Sequence, residues 1–132
     1  MYNENIIYYS KNHENKKVLD DYDVCHFEDN RTCWDDLKVY LKIKKDKIDD
    51  WSFTWDTAII TTACASMYGE SIVWMKLDKV LKLDYNYIES LIEQPVSDRR
   101  KQASVLALLS TRNAIHKYLK DKKEDSFDDL IK

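Results

Sequence analysis

Arg112 and His116 are the two side chains in this sequence whose combined chemistry is easiest to name. They lie four residues apart in a segment that reads as an uninterrupted helix, so both can face one solvent cleft. An arginine can hold a phosphate while a histidine moves a proton, and together these roles suit cleavage of a phosphodiester. The alternative interpretation is a solvated helix face that ends in Arg112, His116 and Lys120.

This arrangement resembles the motif of the HEPN ribonucleases, in which an arginine and a polar residue precede a histidine. HEPN enzymes place four to six residues between the arginine and the histidine, whereas this chain places three. The resemblance is confined to this short run. It implies a ribonuclease with Arg112 and His116 as its catalytic residues.

Cysteine and histidine residues offer a second possible chemistry, since thiolates and imidazoles hold zinc. The candidates are His13, Cys25, His26 and Cys33. Structural zinc sites favour two closely spaced ligand pairs, and no second pair exists here, so we predict neither a metal site nor a cofactor. Three cysteines cannot all pair within one chain, and free thiols are typical of a reducing compartment, so we expect a cytoplasmic protein.

Charge is distributed unevenly along the chain, although the net charge is only −3. Residues 18–36 hold seven acids and one base, with aromatic residues among them, and residues 99–123 hold eight bases and one acid. Clustered carboxylates around an aromatic anchor are what a protein offers to a basic partner. We therefore predict a partner-binding patch formed by Asp20, Asp21, Asp23, Glu28, Asp29, Trp34, Asp35 and Asp36.

A single glycine and a single proline in 132 residues indicate the fold class. Glycine-rich phosphate loops and tight hairpin turns both need glycine, and Gly69 alone cannot build either. The prediction is one all-α domain over residues 1–132, a compact bundle of five to six helices with a possible short N-terminal strand at Ile6–Tyr9. The longest uncharged run, residues 57–69, is too short to cross a bilayer, so no membrane association is expected.

Several predicted elements depend on spacing and capping. Trp34, Leu37 and Leu41 predict a helix from Thr32 to about Lys45. Residues 51–69 predict a second helix that ends at Gly69, with a strand at residues 51–62 as the alternative because Trp51, Phe53 and Trp55 alternate. The remaining predictions are a helix over 70–83, a helix capped by Asp84 that stops near Pro95, a buried central helix around residues 103–109, and a capping box at Ser126 and Asp129.

The functional prediction is a small cytoplasmic protein–protein interaction module without catalysis. By size and composition it is similar to immunity or antitoxin proteins, or to small host-modulating viral proteins, and it is expected to cover a basic protein surface. The alternatives are the HEPN-like ribonuclease and a structural or oligomerising subunit. An acidic total, with a pI near 5.6, makes a nucleic-acid partner unexpected, and a homo-oligomer stays open.

Overall fold

A three-stranded antiparallel sheet is the first feature of the computed structural model, which describes residues 2–30, 35–54 and 58–131. Strands β1 (Val24–Asn30), β2 (Asp35–Lys44) and β3 (Lys47–Thr54) lie in the order β1-β2-β3. The fold mixes helix and strand: of the described residues, 48% are helical and 22% are extended. The prediction of an all-α bundle is therefore wrong.

β2 occupies the segment in which the apolar spacing predicted a helix from Thr32 to Lys45. Leu37, Val39 and Leu41 are fully buried and alternate with more polar positions, which is the period of a strand with one covered face. Leu37 and Leu41 are four residues apart, so the same two residues also fit a helical stripe. Val39, halfway between them, distinguishes the two patterns in favour of the strand.

β3 agrees with the strand alternative over residues 51–54, whereas residues 59–62 belong to a helix, as the main prediction for this segment has it. Trp51 and Phe53 are buried on the same face of the sheet, where they lie opposite Leu41 and Val39 of β2. β2 and β3 are joined by a turn at Lys45 and Asp46, both of which have positive φ values of 53° and 61°. The hairpin thus forms without glycine, because an aspartate in the left-handed region is tolerated and the strand pairing stabilises the turn.

The N-terminal residues form a helix, α1 (Glu4–Lys11). Of the two possibilities for Ile6–Tyr9, a short strand and the first turns of a helix, the strand is wrong and the helix is correct. Asn3 caps it, because its side-chain oxygen accepts a hydrogen bond from the backbone N–H of Ile6. Ile6 is the buried residue of the helix. A four-residue apolar run could not separate strand from helix, and the asparagine cap was the missing signal.

Helix α2 (Ile59–Ile72) is buried along almost its whole length and passes straight through Gly69. The prediction that Gly69 ends the helix is wrong, and the reason is packing. A Cβ at position 69 would overlap Cε3, Cζ3 and Cδ2 of the Trp51 ring. Glycine is present here because the helix backbone lies directly against an indole, and no positive φ is involved.

The remaining helices follow the capping signals closely. Asp84 caps α4 (Tyr85–Ile92), and the capping box of Ser126 and Asp129 begins α7 (Phe127–Leu130), so both predictions are confirmed. The predicted buried central helix is α5 (Lys101–Ser104) continued by α6 (Leu106–Leu119). The predicted helix over 70–83 is wrong, since α2 ends at Ile72 and a short α3 (Leu77–Val80) follows.

The two faces of the sheet have different neighbours. α6 contacts β1 and β2, and α2 contacts β3, so these helices cover the inner face that carries Leu37, Val39 and Leu41. Residues one position away on each strand point to the opposite, outer face. Among the described residues, no helix is long and apolar enough to cross a membrane.

Candidate functional site

Asp35 is a buried carboxylate that joins the sheet to the start of α2. It is 5% exposed; its Oδ1 accepts a hydrogen bond from the backbone N–H of Ala58 at 2.9 Å, and its Oδ2 accepts one from Thr61 Oγ1 at 2.7 Å. The first amides of a helix lack partners within the helix, and a negative charge is favourable at that end. Asp35 thus acts as an N-terminal cap supplied from a strand 23 residues earlier.

The other acids of the predicted partner-binding patch occupy several different environments. Asp20 and Asp21 are exposed, and Asp23 Oδ2 accepts a hydrogen bond from the N–H of Ile43. Glu28 is half-buried, with Oε1 at 2.8 Å from His26 Nε2 and 3.0 Å from Asn113 Nδ2.

Three members of the predicted patch remain, namely Asp29, Asp36 and Trp34. Asp29 is exposed and Asp36 is half-buried, whereas Trp34 lies outside the described residues. The predicted patch is therefore not one continuous acidic face: Asp35 and Glu28 are engaged inside the fold, and the exposed acids lie at the start and end of β1.

Arg112 and His116 do come together, as their spacing on α6 predicted, but they meet carboxylates of their own chain. His116 Nδ1 lies 2.7 Å from Asp121 Oδ2, and His116 Nε2 lies 2.9 Å from Asp125 Oδ2. Arg112 Nε donates to the same Asp125 oxygen at 2.9 Å. Both ring nitrogens of the histidine are occupied by structural partners.

Asp121 and Asp125, which we call the carboxylate clamp, hold the segment after α6 against the helix. The pKa of Asp121 is lowered, first by the backbone N–H of Lys123, which donates to the carboxylate, and second by the hydrogen bond from His116. Asn113 completes the clamp, since its side chain exchanges two hydrogen bonds with the backbone of Asp125. His116 is 7% exposed and has no nitrogen available to a substrate, which argues against a catalytic pair.

The sequence contains a signal for this clamp in the two acids that follow the end of α6. Asp121 and Asp125 follow His116 by five and nine residues, immediately after the helix ends at Leu119. Lys120 and Lys122 have positive φ values of 55° and 63°, which turns the chain back towards α6. Acids just beyond a helix that ends in arginine and histidine therefore predict a structural ion pair as readily as an active site.

The described cysteines lie on opposite sides of the sheet. Cys25 is on β1 opposite Tyr40, whereas its neighbours His26 and Val24 face the inner side with Val39 and Leu41. Cys64 is in the middle of α2, 2% exposed and part of the core. Burial raises the pKa of the Cys64 thiol to about 12, so it stays protonated at neutral pH and is a poor nucleophile and metal ligand.

We expect this difference to appear in alkylation of the native protein. In a Cys33→Ser variant treated with iodoacetamide at pH 8, Cys25 should be modified because it is partly exposed, and Cys64 should remain unmodified because it is buried and its pKa is raised. Intact mass and peptide mapping would measure this, with the urea-unfolded protein as the control in which both residues react. Rapid modification of Cys64 in the folded protein would contradict its placement in the core.

Metal-binding groups show the same separation. Over residues 2–30, 35–54 and 58–131, no three histidine, cysteine, aspartate or glutamate side chains converge as a set that could hold a metal ion. Cys25 lies opposite Tyr40 of β2, and Tyr40 is five residues from Asp35, a distance of about 17 Å along a strand. The Cys25 thiol is therefore far from the buried carboxylate of Asp35. The described residues thus bring no two thiols together.

Comparison with known proteins identifies relatives of this chain. Residues 1–125 match the family model described as the NifU-like N terminal domain. The iron–sulfur cluster assembly scaffold protein IscU of Thermotoga maritima is 29% identical over 83 residues. That match covers 63% of this chain and 58% of the relative, so it spans less than two thirds of that protein's length.

Solved structures share the fold at low sequence identity. A putative iron–sulfur cluster assembly scaffold protein for the SUF system from Fervidobacterium islandicum AW-1 has a TM-score of 0.77 at 19% identity, covering 86% of this chain and 96% of that one. The N-terminal part of a nitrogen-fixing NifU-like protein from Brucella abortus has a TM-score of 0.74 at 15% identity, with coverages of 92% and 95%. At these identities the likeness establishes the arrangement of sheet and helices.

Proposed function

Because this chain belongs to the NifU-like N-terminal domain family, we propose that it takes part in iron–sulfur cluster assembly by binding other proteins of that process, without holding a cluster on its own thiols. The Thermotoga maritima relative carries the name of a cluster assembly scaffold. Membership of this family supports a role in iron–sulfur cluster assembly. The placement of the described cysteines supports the part of the proposal that concerns the cluster.

The observation that carries the proposal is the separation of the thiols. Iron–sulfur clusters are held by several cysteine thiolates, usually four. This chain has three cysteines, of which Cys64 is enclosed in the core and Cys25 lies on the other side of the sheet. Cys33 is the remaining thiol, and one cysteine supplies too few ligands for a cluster held by thiolates alone.

Family membership also corrects the functional predictions from sequence. The immunity, antitoxin-like and host-modulating interpretation is wrong, as is the HEPN-like ribonuclease, because the chain belongs to the NifU-like N-terminal domain family and its relatives are named as cluster scaffolds. The expectation of a protein partner agrees with the family, since scaffolds of the IscU and NifU type interact with other proteins. A basic partner surface and a cytoplasmic location stay predictions.

The surface that we propose for docking is formed by the exposed acids before β1, namely Asp20, Asp21 and Asp23. Like charges on an exposed segment attract a partner of opposite charge and raise its association rate. Tyr22 lies among them, 45% exposed, with its ring centroid 5.4 Å from that of Tyr40 in an edge-to-face contact. An aromatic ring held against the sheet gives such a surface a fixed apolar contact.

Association kinetics with a purified sulfur-supplying protein of cluster assembly would test this proposal. A variant with asparagine at Asp20, Asp21 and Asp23 should associate roughly tenfold more slowly at low ionic strength, and the difference should shrink as salt screens the charges. Asparagine suits Asp21, whose φ is 59°, because it tolerates the left-handed region.

The matched control neutralises three exposed acids elsewhere, in the variant Asp78→Asn, Glu124→Gln, Asp128→Asn. This control changes the net charge by the same amount as the first variant but leaves the proposed surface intact. Its association rate should therefore stay close to that of the wild type. Equal rates for the two variants would contradict docking through these acids. No association of the wild-type protein would contradict the proposed role.

A further inference from the structure

Trp74 is a large apolar side chain in the short segment between α2 and α3. Its backbone has a φ of 74°, a conformation that bulky residues rarely adopt. Its side chain is 69% exposed, the largest exposed fraction among the described large apolar residues. Glycine would adopt this conformation without strain, and burial of the ring does not offset the strain here. The fold itself therefore gives no reason for a tryptophan at this position.

Hydrogen bonds to β3 and to the hairpin turn hold this segment in place. The backbone N–H of Trp74 donates to the oxygen of Ile48 at 2.7 Å, and the N–H of Ile48 donates to the oxygen of Met75 at 3.0 Å. The N–H of Leu77 donates to the oxygen of Asp46 at 2.9 Å. The indole is therefore presented from a fixed main chain, which lowers the cost of ordering this segment when a partner binds.

Three lysines lie side by side next to this segment. Lys47 of β3 is directly opposite Lys44 of β2, and it also pairs with Lys76 in the segment that follows Trp74. Side chains of directly opposite residues share a face, where like charges are destabilising. All three lysines are exposed, and no carboxylate in the described part of the chain forms an ion pair with them. This lysine row thus carries positive charge that no ion pair of the fold neutralises.

A groove of about 590 Å³ connects the tryptophan to the lysines, and we call it the Trp74 groove. Among its described lining residues, Lys47, Lys76 and Lys79 contribute three positive charges against the negative charge of Asp78. The indole N–H of Trp74 has no acceptor within residues 2–30, 35–54 and 58–131, and an indole nitrogen can only donate. Positive charge and available hydrogen-bond donors therefore lie on one surface, and carboxylates suit both.

We propose that the Trp74 groove binds an acidic segment of another protein, in which carboxylates flank an apolar side chain. The apolar side chain packs on the indole, and the carboxylates accept hydrogen bonds from the indole N–H and from the lysines. Tryptophan is among the residues that contribute most to the affinity of protein interfaces. The groove lies at the β3 edge of the sheet, whereas the exposed acids before β1 lie at the other edge, so the two surfaces are separate.

Other anionic ligands fit these residues less well. A small anion inside the groove would leave most of the exposed indole uncovered. A bilayer surface is broad and does not follow a concave groove. A phosphodiester backbone has no N–H group that could donate to Asp78, whereas every residue of a polypeptide except proline has one.

Selection from a random peptide library would test this proposal. Phage-displayed peptides are selected on the native protein after counter-selection against Trp74→Gly, which removes peptides that bind other surfaces. The recovered peptides should carry at least twice the acidic content of the starting library, together with an aromatic or aliphatic residue. They should bind the wild type at least tenfold more tightly than Trp74→Gly. Recovery of no peptides, or of peptides without acidic enrichment, would overturn the proposal.

The variants separate a loss of binding from a loss of fold. Trp74→Gly should have an equal or higher urea midpoint, because glycine adopts a positive φ without strain. Lys47→Gln should weaken peptide binding at least threefold, again with an equal or higher midpoint, because it relieves the repulsion from both neighbouring lysines. Lys11→Gln, the same loss of charge on exposed α1, should leave peptide binding unchanged. Equal effects of Lys47→Gln and Lys11→Gln would contradict binding in the groove.

Two further probes distinguish the peptide from other anionic macromolecules. Phosphatidylserine vesicles and a single-stranded oligothymidine should bind the wild type and Trp74→Gly equally, or bind neither. Binding of either probe that is tighter than that of the selected peptides and is lost in Trp74→Gly would place a membrane or a nucleic acid at Trp74 and overturn the proposal. None of these measurements uses the sulfur-supplying protein, so their outcome is independent of the function proposed for the acids before β1.

Discussion

Replacing Asp35 with alanine should lower the free energy of unfolding by about 2–4 kcal/mol, since hydrogen bonds to charged groups and helix caps contribute on this scale. The substitution removes the acceptor for the N–H of Ala58 and for the hydroxyl of Thr61, both of which lie at the beginning of α2. Urea unfolding followed by circular dichroism would measure the change as a lower midpoint at an unchanged slope.

Asp35→Asn is the matched control for this prediction. Asparagine keeps the shape of the side chain and an oxygen that can accept from Ala58, so it should cost about 1 kcal/mol, the part that depends on the negative charge at the helix end. The ranking of wild type, asparagine and alanine tests the capping role. A wild-type midpoint for Asp35→Ala would contradict it.

Gly69→Ala should destabilise the protein by about 2–3 kcal/mol, the scale of overpacking a buried position. Alanine favours a helix over glycine by about 1 kcal/mol, so the sign depends on whether Trp51 can move. Its ring is held in place: Trp51 Nε1 donates to Thr111 Oγ1 at 2.9 Å, and the rings of Phe53 and Tyr68 pack beside it. The clash should therefore exceed the gain in helix propensity.

A double-mutant cycle isolates this contact from the helix propensity. In a Trp51→Phe background the ring atoms that approach position 69 are largely removed, so Gly69→Ala should there be neutral or stabilising. Urea midpoints of the four proteins give the coupling between the two positions. A stabilising effect of Gly69→Ala in the wild-type background would contradict the close packing of α2 on Trp51.

Capping signals in the sequence predicted the starts of two helices, whereas the predicted helix end at Gly69 is wrong and the sheet was not predicted as a whole. Asp84, Ser126 and Asp129 act within their own turns, and the structure places them as predicted. The strands were missed because Leu37 and Leu41 fit both a helical and a strand period, and because a chain with one glycine was expected to avoid hairpins. The turn at Lys45 and Asp46 forms with positive φ at both residues, which composition alone did not reveal.

The candidate sites depend on contacts between residues distant in sequence, so only part of each could be predicted. Asp35 looked like one surface acid among several, and its role appears once β2 ends beside the first residues of α2. Arg112 and His116 share a face of α6, as their spacing predicts, and Asp125 contacts both because the chain turns back after the helix ends. The placement of Cys25 and Cys64 on opposite sides of the sheet could not be predicted, because the sequence analysis predicts a helix where β2 lies.

Anaerobic reconstitution with ferrous iron and sulfide tests the central claim most directly. After desalting, the protein should retain far less than one cluster per chain, by iron and acid-labile sulfide analysis and by visible absorption, because its described thiols lie in the core and across the sheet from each other. A scaffold known to hold a cluster serves as the positive control under identical conditions. Stoichiometric iron and sulfide that stay bound to this chain, and are lost in Cys33→Ser, would contradict the account.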